Sequence, residues 1–455
     1  MEMVLEFLRD VLSQPALLIG IMSCVGLVAL KRPFHKVMTG TLKPILGYLM
    51  LAAGAGVIVS NLDPLGKMIE HGFHITGVVP NNEAIVAVAQ KVLGVETMSI
   101  LVVGLLMNLC IARFTKFKYV FLTGHHSLFM ACLMSAVLGT AGLSGMELIL
   151  VGGFLMGAWS AISPAIGQSY TSKVTDGDEI AIGHFGSLGY YLSAWVAQYV
   201  GKAEDSTEDI EIPEKWGFLR DSTLSTALTM IVFYLIAAFA AGSEFVATLS
   251  GDMSPYLYAV MSAMNFAVGV TIVYSGVRMI LGDLIPAFQG IATKIIPNAI
   301  PAVDCAVFFT YAPTAVVLGF LSSFIGGIIG MLILGAVGGV LIIPGLVPHF
   351  FCGATAGIYG NATGGRRGAA VGAFLNGLAI TFLPAMALPV LGQLGFQNTT
   401  FGDADFAVMG LVLGNAYEWV GMAGIYGIVA IAALVLIIPN FIKTKGKVIN
   451  YVEED

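Results

Sequence analysis

The chain has 455 residues, of which 57% are hydrophobic and only 11% are charged, and its formal net charge is −7. Soluble globular proteins carry about 25% charged residues, so this composition excludes an ordinary soluble fold. The negative balance also argues against a nucleic-acid partner, because nucleic acids are bound by basic surfaces. Several apolar runs reach the roughly 20 residues that a helix needs to cross a bilayer. The sequence therefore predicts an all-α polytopic membrane protein.

The apolar runs predict about eleven transmembrane helices with interruptions by proline and glycine. Between them lie half-polar stretches that indicate loops, interfacial helices or re-entrant hairpins. The approximate bounds of the predicted spans are 15–30, 40–60, 98–112, 119–138, 148–166, 224–249, 257–281, 314–334, one span within 335–368, 371–391 and 421–442.

The charged residues between these spans predict the orientation of the chain. Gly201–Asp221 is a long polar segment, which we expect to be a solvated cytoplasmic loop. Basic clusters at Lys31–Lys36, Arg113–Lys118 and Lys443–Lys447 follow the first, third and last predicted spans. Cytoplasmic loops are enriched in lysine and arginine, and with eleven spans all three clusters fall on one side. The pattern predicts an N-terminus outside the cell and a C-terminus in the cytoplasm.

One carboxylate, Asp304, lies inside an otherwise apolar run between Pro297 and Phe320. Proline removes a backbone donor and ends or kinks helices, so Pro301 and Pro313 indicate a broken helix or a re-entrant hairpin. An ionisable group at such a depth indicates a functional site, and Asp304 is our first candidate for substrate contact. The alternative is a structural carboxylate that is bonded to the amides of its own hairpin.

Two stretches of the chain, Gly47–Asn82 and Gly269–Asp304, are similar at an offset of 222 residues. Each contains a span, an amphipathic stretch, a proline-containing loop and a polar residue. An odd number of predicted spans separates the copies, so they would have opposite topologies, as the inverted repeats of transporters do. Two hairpins would then bring Asn82 and Glu83 to the same cavity as Asp304. The full repeats are predicted at about 15–166 and 257–442.

His125 and His184 each follow a glycine, in the stretches FLTGHHSLF and IAIGHFGSL. Local unwinding at that glycine could aim the imidazole at a ligand, and a neutral imidazole both donates and accepts a hydrogen bond. For each histidine, the alternative is a hydrogen bond between helices. His126 adjoins this candidate site, but we expect it to point elsewhere on a helix.

Sequence motifs for other chemistry are missing. The chain contains no GxxxxGK[ST] phosphate loop, no HExxH and no GxSxG, and its five cysteines occur singly. We therefore predict no catalytic residue, no metal site, no cofactor and no disulfide framework, and we expect the cysteines to be buried apolar residues.

Three stretches, TGH, VTDGDEIAIGHF and IPNAIPAVDCAVFFTYAPTAVVLGF, resemble the ascorbate-type EIIC permease component of the bacterial phosphotransferase system. The resemblance covers nearly the whole chain. It implies a homodimer in the bacterial cytoplasmic membrane, in which each subunit has a substrate-holding core domain and a V-shaped dimerisation domain. It also implies that L-ascorbate moves inward by an elevator-like motion. A separate EIIB subunit, itself phosphorylated by EIIA, would then phosphorylate the ascorbate. The substrate-binding positions implied by the resemblance are Asn82, Glu83, His125, His126, Ser127, Phe129, His184, Phe185 and Asp304.

The sequence departs from the ascorbate-type pattern at four of these positions. Phe129 and Phe185 occupy positions where that pattern has glutamine, and Asn82 and Glu83 replace a hydroxyl-bearing pair. A missing buried hydrogen-bond partner costs about 1–3 kcal/mol, whereas phenylalanine offers a ring face for stacking. A second carboxylate at Glu83 would disfavour an anionic ligand. The ligand is therefore expected to be L-ascorbate or a related sugar acid or polyol.

The leading hypothesis is a permease subunit that binds and translocates a sugar-like substrate while its partner performs the chemistry. Such a chain would be a transporter and not a complete enzyme. The alternative is a proton-coupled secondary transporter of a small polar solute, using Asp304 or Glu83 without phosphorylation. A third class, an intramembrane enzyme, would need a nucleophile–base pair, and the sequence shows none.

Overall fold

The computed structural model describes residues 11, 14–74, 77–80, 82–210, 222–392 and 399–441. Most of these residues are helical. The α-helices are α1 (Pro15–Ala29), α2 (Phe34–Phe73), α3 (Asn82–Phe114), α4 (Gly124–Thr140), α5 (Gly145–Thr175), α6 (Ser187–Val200), α7 (Ser222–Ala241), α8 (Ser243–Ser250), α9 (Pro255–Lys294), α10 (Pro313–Ala336), α11 (Leu346–Gly392), α12 (Ala404–Val420) and α13 (Met422–Phe441).

Within the described residues, 7 helices are long and apolar enough to cross a membrane, or 8 if the bent pair α7–α8 is one span. The seven are α2, α3, α5, α9, α10, α11 and α13. The prediction of an all-α polytopic membrane protein is therefore confirmed. The number of eleven spans stays a prediction.

Several predicted spans differ from the helices that the chain forms. The run at 224–249 bends by 116° between α7 and α8, next to Gly242. The run at 119–138 begins as a strand and becomes helical only at Gly124. The long helix α11 is broken at Gly364 and at Gly365, whose φ of +59° is a conformation that favours glycine. Helix α12 was not predicted at all.

Short parallel strands interrupt the helices of the described chain. They are β1 (Val79–Pro80), β2 (Tyr119–Phe121), β3 (Ala181–Ile182), β4 (Ile300–Val303) and β5 (Thr399–Thr400). One sheet has the order β2-β4-β3 and the other consists of β1 and β5. A 3₁₀ helix, Cys305–Thr310, follows β4.

This arrangement corrects the predicted hairpin around Asp304. The prolines do exclude a continuous helix, but the freed backbone pairs with neighbouring strands. The amide of Ile300 donates to the carbonyl of Lys118 at 2.9 Å, and the amide of Gly183 donates to that of Val303 at 2.7 Å. Pairing of β4 with its neighbours therefore satisfies the backbone groups that a hairpin would have to satisfy by itself.

Helices α2 and α9 are each 40 residues long and pack against one another in antiparallel directions. Gly47 lies against Gly276, and Gly54 lies against Gly269, so residue numbers rise along one helix as they fall along the other. An inverted repeat requires this relation between its two copies. The repeat boundaries themselves stay predictions.

Helix α4 is buried nearly all round, although it was predicted as a span. Among its fully buried residues are Met130, Cys132 and Leu133. A helix that is apolar on every side belongs to the interior of a large protein or bundle. Its N-terminus is thereby fixed inside the protein, where the candidate site lies.

Residues 201–210 form turns and are mostly exposed, as expected for the predicted solvated loop, but two of them anchor the loop to the protein. The amide of Thr207 donates to Oδ1 of Asn361 at 2.8 Å. The Glu208 carboxylate accepts from the amides of Thr314 and Ala315 at 3.0 and 3.1 Å, at the start of α10. A carboxylate there satisfies unpaired helix amides and complements the helix dipole. The remainder of the predicted loop, 211–221, lies outside the described residues.

Candidate functional site

The three strands of the larger sheet end at one edge, and the site residues follow them. His125 comes after β2 at the start of α4, His184 comes after β3, and Asp304 directly follows β4. In open parallel sheets the carboxyl ends of the strands form the usual ligand-binding edge. The structure thus brings together the three residues that the sequence itself singled out.

The smaller sheet adds Asn82 and Asp403 to this region. Asn82 begins α3 after β1, and Asp403 lies between β5 and α12. The Asn82 amide nitrogen donates to Oδ2 of Asp403 at 2.6 Å, while its oxygen accepts from the amide of Gly402 at 2.9 Å. The parallel register of Val79 with Thr399 places the two strand ends side by side.

Both sheets border one cavity with a volume of about 1130 Å³. Ligand pockets for small molecules commonly have volumes of about 300–1,000 Å³, so the cavity has room for a sugar and water. Its lining contains six of the nine predicted site residues, and Tyr48, Cys305 and Asp403 join them around the strand ends. The polar and aromatic side chains around the strand ends are Tyr48, Asn82, His125, His126, Phe129, His184, Asp304 and Asp403, with Cys305 beside them.

Asp304 makes a structural contact within its own segment and also lines the cavity. Its Oδ1 atom accepts a hydrogen bond from the amide of Ala306 at 3.0 Å and so caps the 3₁₀ helix. Its Oδ2 atom lies 3.4 Å from Nε2 of His125, whose Nδ1 atom lies 3.1 Å from the hydroxyl of Tyr48. If Tyr48 donates to Nδ1, the neutral imidazole carries its hydrogen on Nε2 and directs it to Asp304. The carboxylate is thus both held by its own chain and presented to the cavity.

The rings of His126 and His184 lie against one another, with centroids 3.8 Å apart and planes tilted by 45°. The amide of Phe185 donates to Nδ1 of His126 at 3.3 Å, and the amide of Gly186 donates to Nδ1 of His184 at 3.1 Å. A nitrogen that accepts an amide hydrogen carries none itself, so the neutral rings carry theirs on Nε2. The expectation that His126 points elsewhere is wrong, because it lines the cavity beside His184.

The sequence predicts no metal site, and these tautomers decide whether one cluster of possible ligands fits a metal ion. In the described part of the chain, His126, His184 and Asp403 place one potential ligand atom each within 4.8 Å of one another. A metal ion needs a nitrogen lone pair. With Nδ1 engaged by an amide hydrogen and Nε2 protonated, neither neutral imidazole offers one, so this cluster does not fit a metal ion.

Asp403 is a site residue that the sequence reasoning missed. It is 5% exposed and accepts hydrogen bonds from Asn82 and from the Cys352 thiol, the latter at 2.8 Å. The stretch around it was read as neither a span nor a hairpin, so the paired aspartates in GDADF were not considered. Cys352 is accordingly more than the apolar residue that was expected. The expectation of burial is wrong for Cys110, which is exposed, and for Cys24, which is partly exposed.

The remaining predicted positions separate into different groups. Phe129 lines the cavity, but Phe185 is fully buried and stacks on Phe121 at 4.6 Å between ring centroids. Ser127 is also fully buried, and its hydroxyl donates to the carbonyl of Thr123 within α4. Phe185 therefore offers the site its amide and not its ring. The side chain of Glu83 lies outside the described residues.

Comparison with known proteins places this site in a family. The model of the EIIC-GAT family, "PTS system sugar-specific permease component", matches residues 10–405. The chain belongs to this family. All the site residues described above lie within the matched range. The match favours a phosphotransferase-system permease over the proton-coupled transporter that was considered as the alternative.

A curated relative is the "Ascorbate-specific PTS system EIIC component" of Mycoplasma pneumoniae (strain ATCC 29342 / M129 / Subtype 1). It is 27% identical to this chain over 90% of the chain and 70% of the relative. The predicted family is therefore confirmed. A permease component of this system handles a sugar substrate and works with an EIIB subunit, so both follow for this chain in general terms.

Proposed function

We propose that this EIIC-family chain binds L-ascorbate, or a related sugar acid or polyol, in the cavity at the strand ends and carries it inward. The observation that supports this proposal most is the convergence of two sheets on one cavity, where Asp304, Asp403 and three histidines line a space large enough for a sugar. Acceptor-only carboxylates and imidazole N–H groups together match a ligand that has both hydroxyl groups and negatively charged or carbonyl oxygens. The ascorbate-specific name of the relative supports ascorbate as the first ligand to test.

The helix termini at the site also suit an anionic ligand. Helices α3, α4, α6 and α12 all begin at or beside residues that line the cavity. Each helix N-terminus carries the equivalent of roughly +0.5 charge and unpaired amide hydrogens. Discontinuous helices in transporters direct such termini at anionic substrate groups near the bilayer midplane. The positive ends of these helices offset the negative charge of the two carboxylates, so a monoanion such as ascorbate can still bind.

In this proposal the chemistry belongs to a separate chain. EIIB, charged by EIIA, would phosphorylate the substrate when the cavity faces the cytoplasm, and this chain would supply binding and movement. A homodimer with an elevator-like motion of a core domain against a V-shaped domain is what the family resemblance implies. The substrate-binding residues would be Asn82, His125, His126, Phe129, His184 and Asp304, with Glu83, Ser127 and Phe185 as the further positions of the pattern.

We further infer that the structure has its cavity open to the outside of the cell. The cavity runs along α2 from Tyr48 to Phe73, roughly 38 Å at 1.5 Å per residue, and reaches Gln14 before α1 and Leu332 near the end of α10. The opposite ends of these helices carry Lys31–Lys36 and the docked Glu208 segment, which the positive-inside rule assigns to the cytoplasm. The cavity mouth would then lie outside.

Cysteine labelling tests this orientation. In a Cys110→Ser background, which removes the exposed native cysteine, we expect an impermeant maleimide added to intact cells to label Lys67→Cys at the cavity mouth. A Lys36→Cys variant should react only after permeabilisation. The reverse pattern would place the mouth in the cytoplasm and contradict the assigned orientation.

Ligand identity is tested by a thermal-shift screen of the purified chain against L-ascorbate, galactitol, other polyols, pentoses and sugar acids. A ligand that binds only the native state raises the melting temperature by mass action, so no partner protein is needed. We expect ascorbate to give a shift. A shift with another compound and none with ascorbate would reassign the substrate, and transport that is independent of phosphoenolpyruvate in cells would contradict the phosphotransferase role.

A further inference from the structure

Asp403 occupies the N-cap position of α12 but does not cap that helix. An aspartate at an N-cap usually accepts a hydrogen bond from an amide in the first helical turn. The Asp403 side chain makes no such bond. Two other aspartates do cap helices: Asp304 accepts from the amide of Ala306, and Asp405 accepts from that of Leu188. The Asp403 carboxylate is thus held by contacts other than those of its own helix.

Two neutral donors hold the Asp403 carboxylate at the wall of the cavity. Asn82 donates to Oδ2 at 2.6 Å, and the thiol of Cys352 donates to Oδ1 at 2.8 Å. An ionised carboxylate has about four acceptor positions, so these two bonds fill about half of them. The Nδ1 atom of His184 lies 3.9 Å from Oδ1, but it accepts the amide hydrogen of Gly186 and has none to donate.

A buried carboxylate with acceptor positions left unfilled is costly, and a ligand that supplies hydrogen atoms relieves that cost. We propose that Asp403 is a substrate-binding residue that accepts a hydrogen bond from a ligand hydroxyl and selects hydroxylated ligands over their deoxy analogues. This inference rests on the proposed function of the cavity. It adds a second carboxylate to Asp304, supplied by a different segment of the chain.

The position of Asp403 also orients the ligand. A carboxylate accepts hydrogen bonds and repels negative oxygens, so the hydroxylated arm of a sugar acid would lie against Asp403. The anionic or carbonyl oxygens would lie against the Nε2 hydrogens of His126 and His184 and the N-terminus of α4. In ascorbate the hydroxylated arm carries the hydroxyls at C5 and C6, and these are the groups that Asp403 would contact.

Calorimetric titration of the full-length chain with L-ascorbate and with its 5-deoxy and 6-deoxy analogues tests the proposal. In the wild type, removal of the hydroxyl that contacts Asp403 should weaken binding by about tenfold or more, since hydrogen bonds to charged groups are the strong ones. In Asp403→Asn, ascorbate itself should bind about tenfold more weakly, and the penalty for that same deoxy analogue should fall to a few-fold. Unchanged affinity and unchanged penalties in this variant would overturn the proposal.

Asp405→Asn is the matched control, because Asp405 is an equally buried carboxylate two positions away. It is bonded to the Ser187 hydroxyl, the amide of Leu188 and the indole of Trp159, and its role is to hold the start of α6. This variant should melt at a lower temperature while keeping the wild-type deoxy penalties. If the affinity penalty for the deoxy analogue falls equally in both variants, the effect is structural and Asp403 does not contact the ligand directly.

Three further outcomes are covered by the same design. If Asp403→Asn does not fold, Asp403→Glu keeps the charge and moves it by one methylene, and a changed deoxy penalty in it supports the contact. If the wild type does not bind ascorbate but binds another compound of the screen, the comparison is made with that compound and its deoxy analogues. If it binds none, the proposed site is wrong and the role of Asp403 falls with it, whereas binding with unaltered penalties overturns only the role of Asp403.

Discussion

The segments α2–β1–Asn82 and α9–β4–Asp304 follow the same plan but present different chemistry to the cavity. In each, a helix of 40 residues leads to a short parallel strand that ends near a polar residue. Strand β4 lies between β2 and β3 and is followed directly by its own carboxylate, Asp304. Strand β1 pairs with β5 and is followed by an amide, Asn82, while the carboxylate comes from Asp403 after β5.

This difference shows two ways to hold a buried carboxylate in the interior of a membrane protein. Asp304 is fixed by its own 3₁₀ helix through the amide of Ala306. Asp403 is fixed by Asn82, 321 positions away in the chain, so its position depends on the pairing of β1 with β5. A movement of one segment against the other would displace Asp403 relative to its partner and leave the cap of Asp304 intact. The two carboxylates therefore differ in what they require of the fold.

The largest expected effect comes from the segment that carries its own carboxylate. We expect Asp304→Asn to lower ligand affinity by roughly 10- to 150-fold, because a charged acceptor is lost beside His125 and hydrogen bonds to charged groups contribute about 1.5–3 kcal/mol. The variant should still insert into the membrane, since the amide oxygen can accept from Ala306. Calorimetry in detergent measures the loss.

Asp283→Asn is the control for this change, because Asp283 lies on α9 and pairs with Lys43 at 3.5 Å without lining the cavity. Its ligand affinity should equal that of the wild type. Wild-type affinity in Asp304→Asn would leave Asp304 with its capping role alone.

The contrast between the two segments also explains what the sequence could and could not predict. Asp304 was predictable because it is one ionisable group in an apolar run that prolines interrupt, a pattern with a physical cost. His125 and His184 were predictable because each follows a glycine after an apolar stretch. Asp403 lies in a polar stretch where an aspartate costs nothing unless the fold buries it. The pairing of β1 with β5 and the contact with Cys352 place Asp403 in the interior, and both join segments that are distant in the sequence.

Strand pairing accounts for the other differences as well. Prolines between Pro297 and Pro313 predicted broken helices, yet whether the freed backbone forms a hairpin or a strand depends on partners that are distant in the chain. The buried ring of Phe185 and the docking of Glu208 on α10 depend on such distant contacts too. The sequence therefore predicted the membrane architecture and three central residues, while the orientation of side chains around them needed the three-dimensional arrangement.

A smaller expected effect sharpens the comparison at the larger sheet, where Phe129 and Phe185 replace the glutamines of the ascorbate-type pattern. The ring of Phe185 packs against the rings of Phe121 and Phe406. Phe185→Gln would therefore bury an amide between two aromatic rings. We expect this to lower the free energy of unfolding by about 2 kcal/mol, with little change in ligand affinity. Phe129→Gln should instead change ligand selectivity with a smaller loss of stability, because Phe129 lines the cavity.

Melting curves and ligand titrations of the two glutamine variants separate these effects. A gain in ascorbate affinity from Phe185→Gln would mean that this side chain can reach the ligand, contrary to its buried position. Equal losses of stability in both variants would mean that Phe129 is also a packing residue first.

The smallest expected effect concerns the helices that lead to the two strands. A Cβ atom on Gly54 would lie 2.8 Å from the carbonyl oxygen of Gly269 and 2.8 Å from the amide nitrogen of Val273, whereas a Cβ on Gly56 would meet nothing within 4 Å. Gly54→Ala should therefore force α2 and α9 apart and lower the free energy of unfolding by about 1–2 kcal/mol. Gly56→Ala, two positions along the same helix, should leave it unchanged or raise it, because alanine is the better helix former. Thermal unfolding of both variants in one detergent measures the difference, and equal stabilities would contradict the close antiparallel contact on which the comparison of the two segments depends.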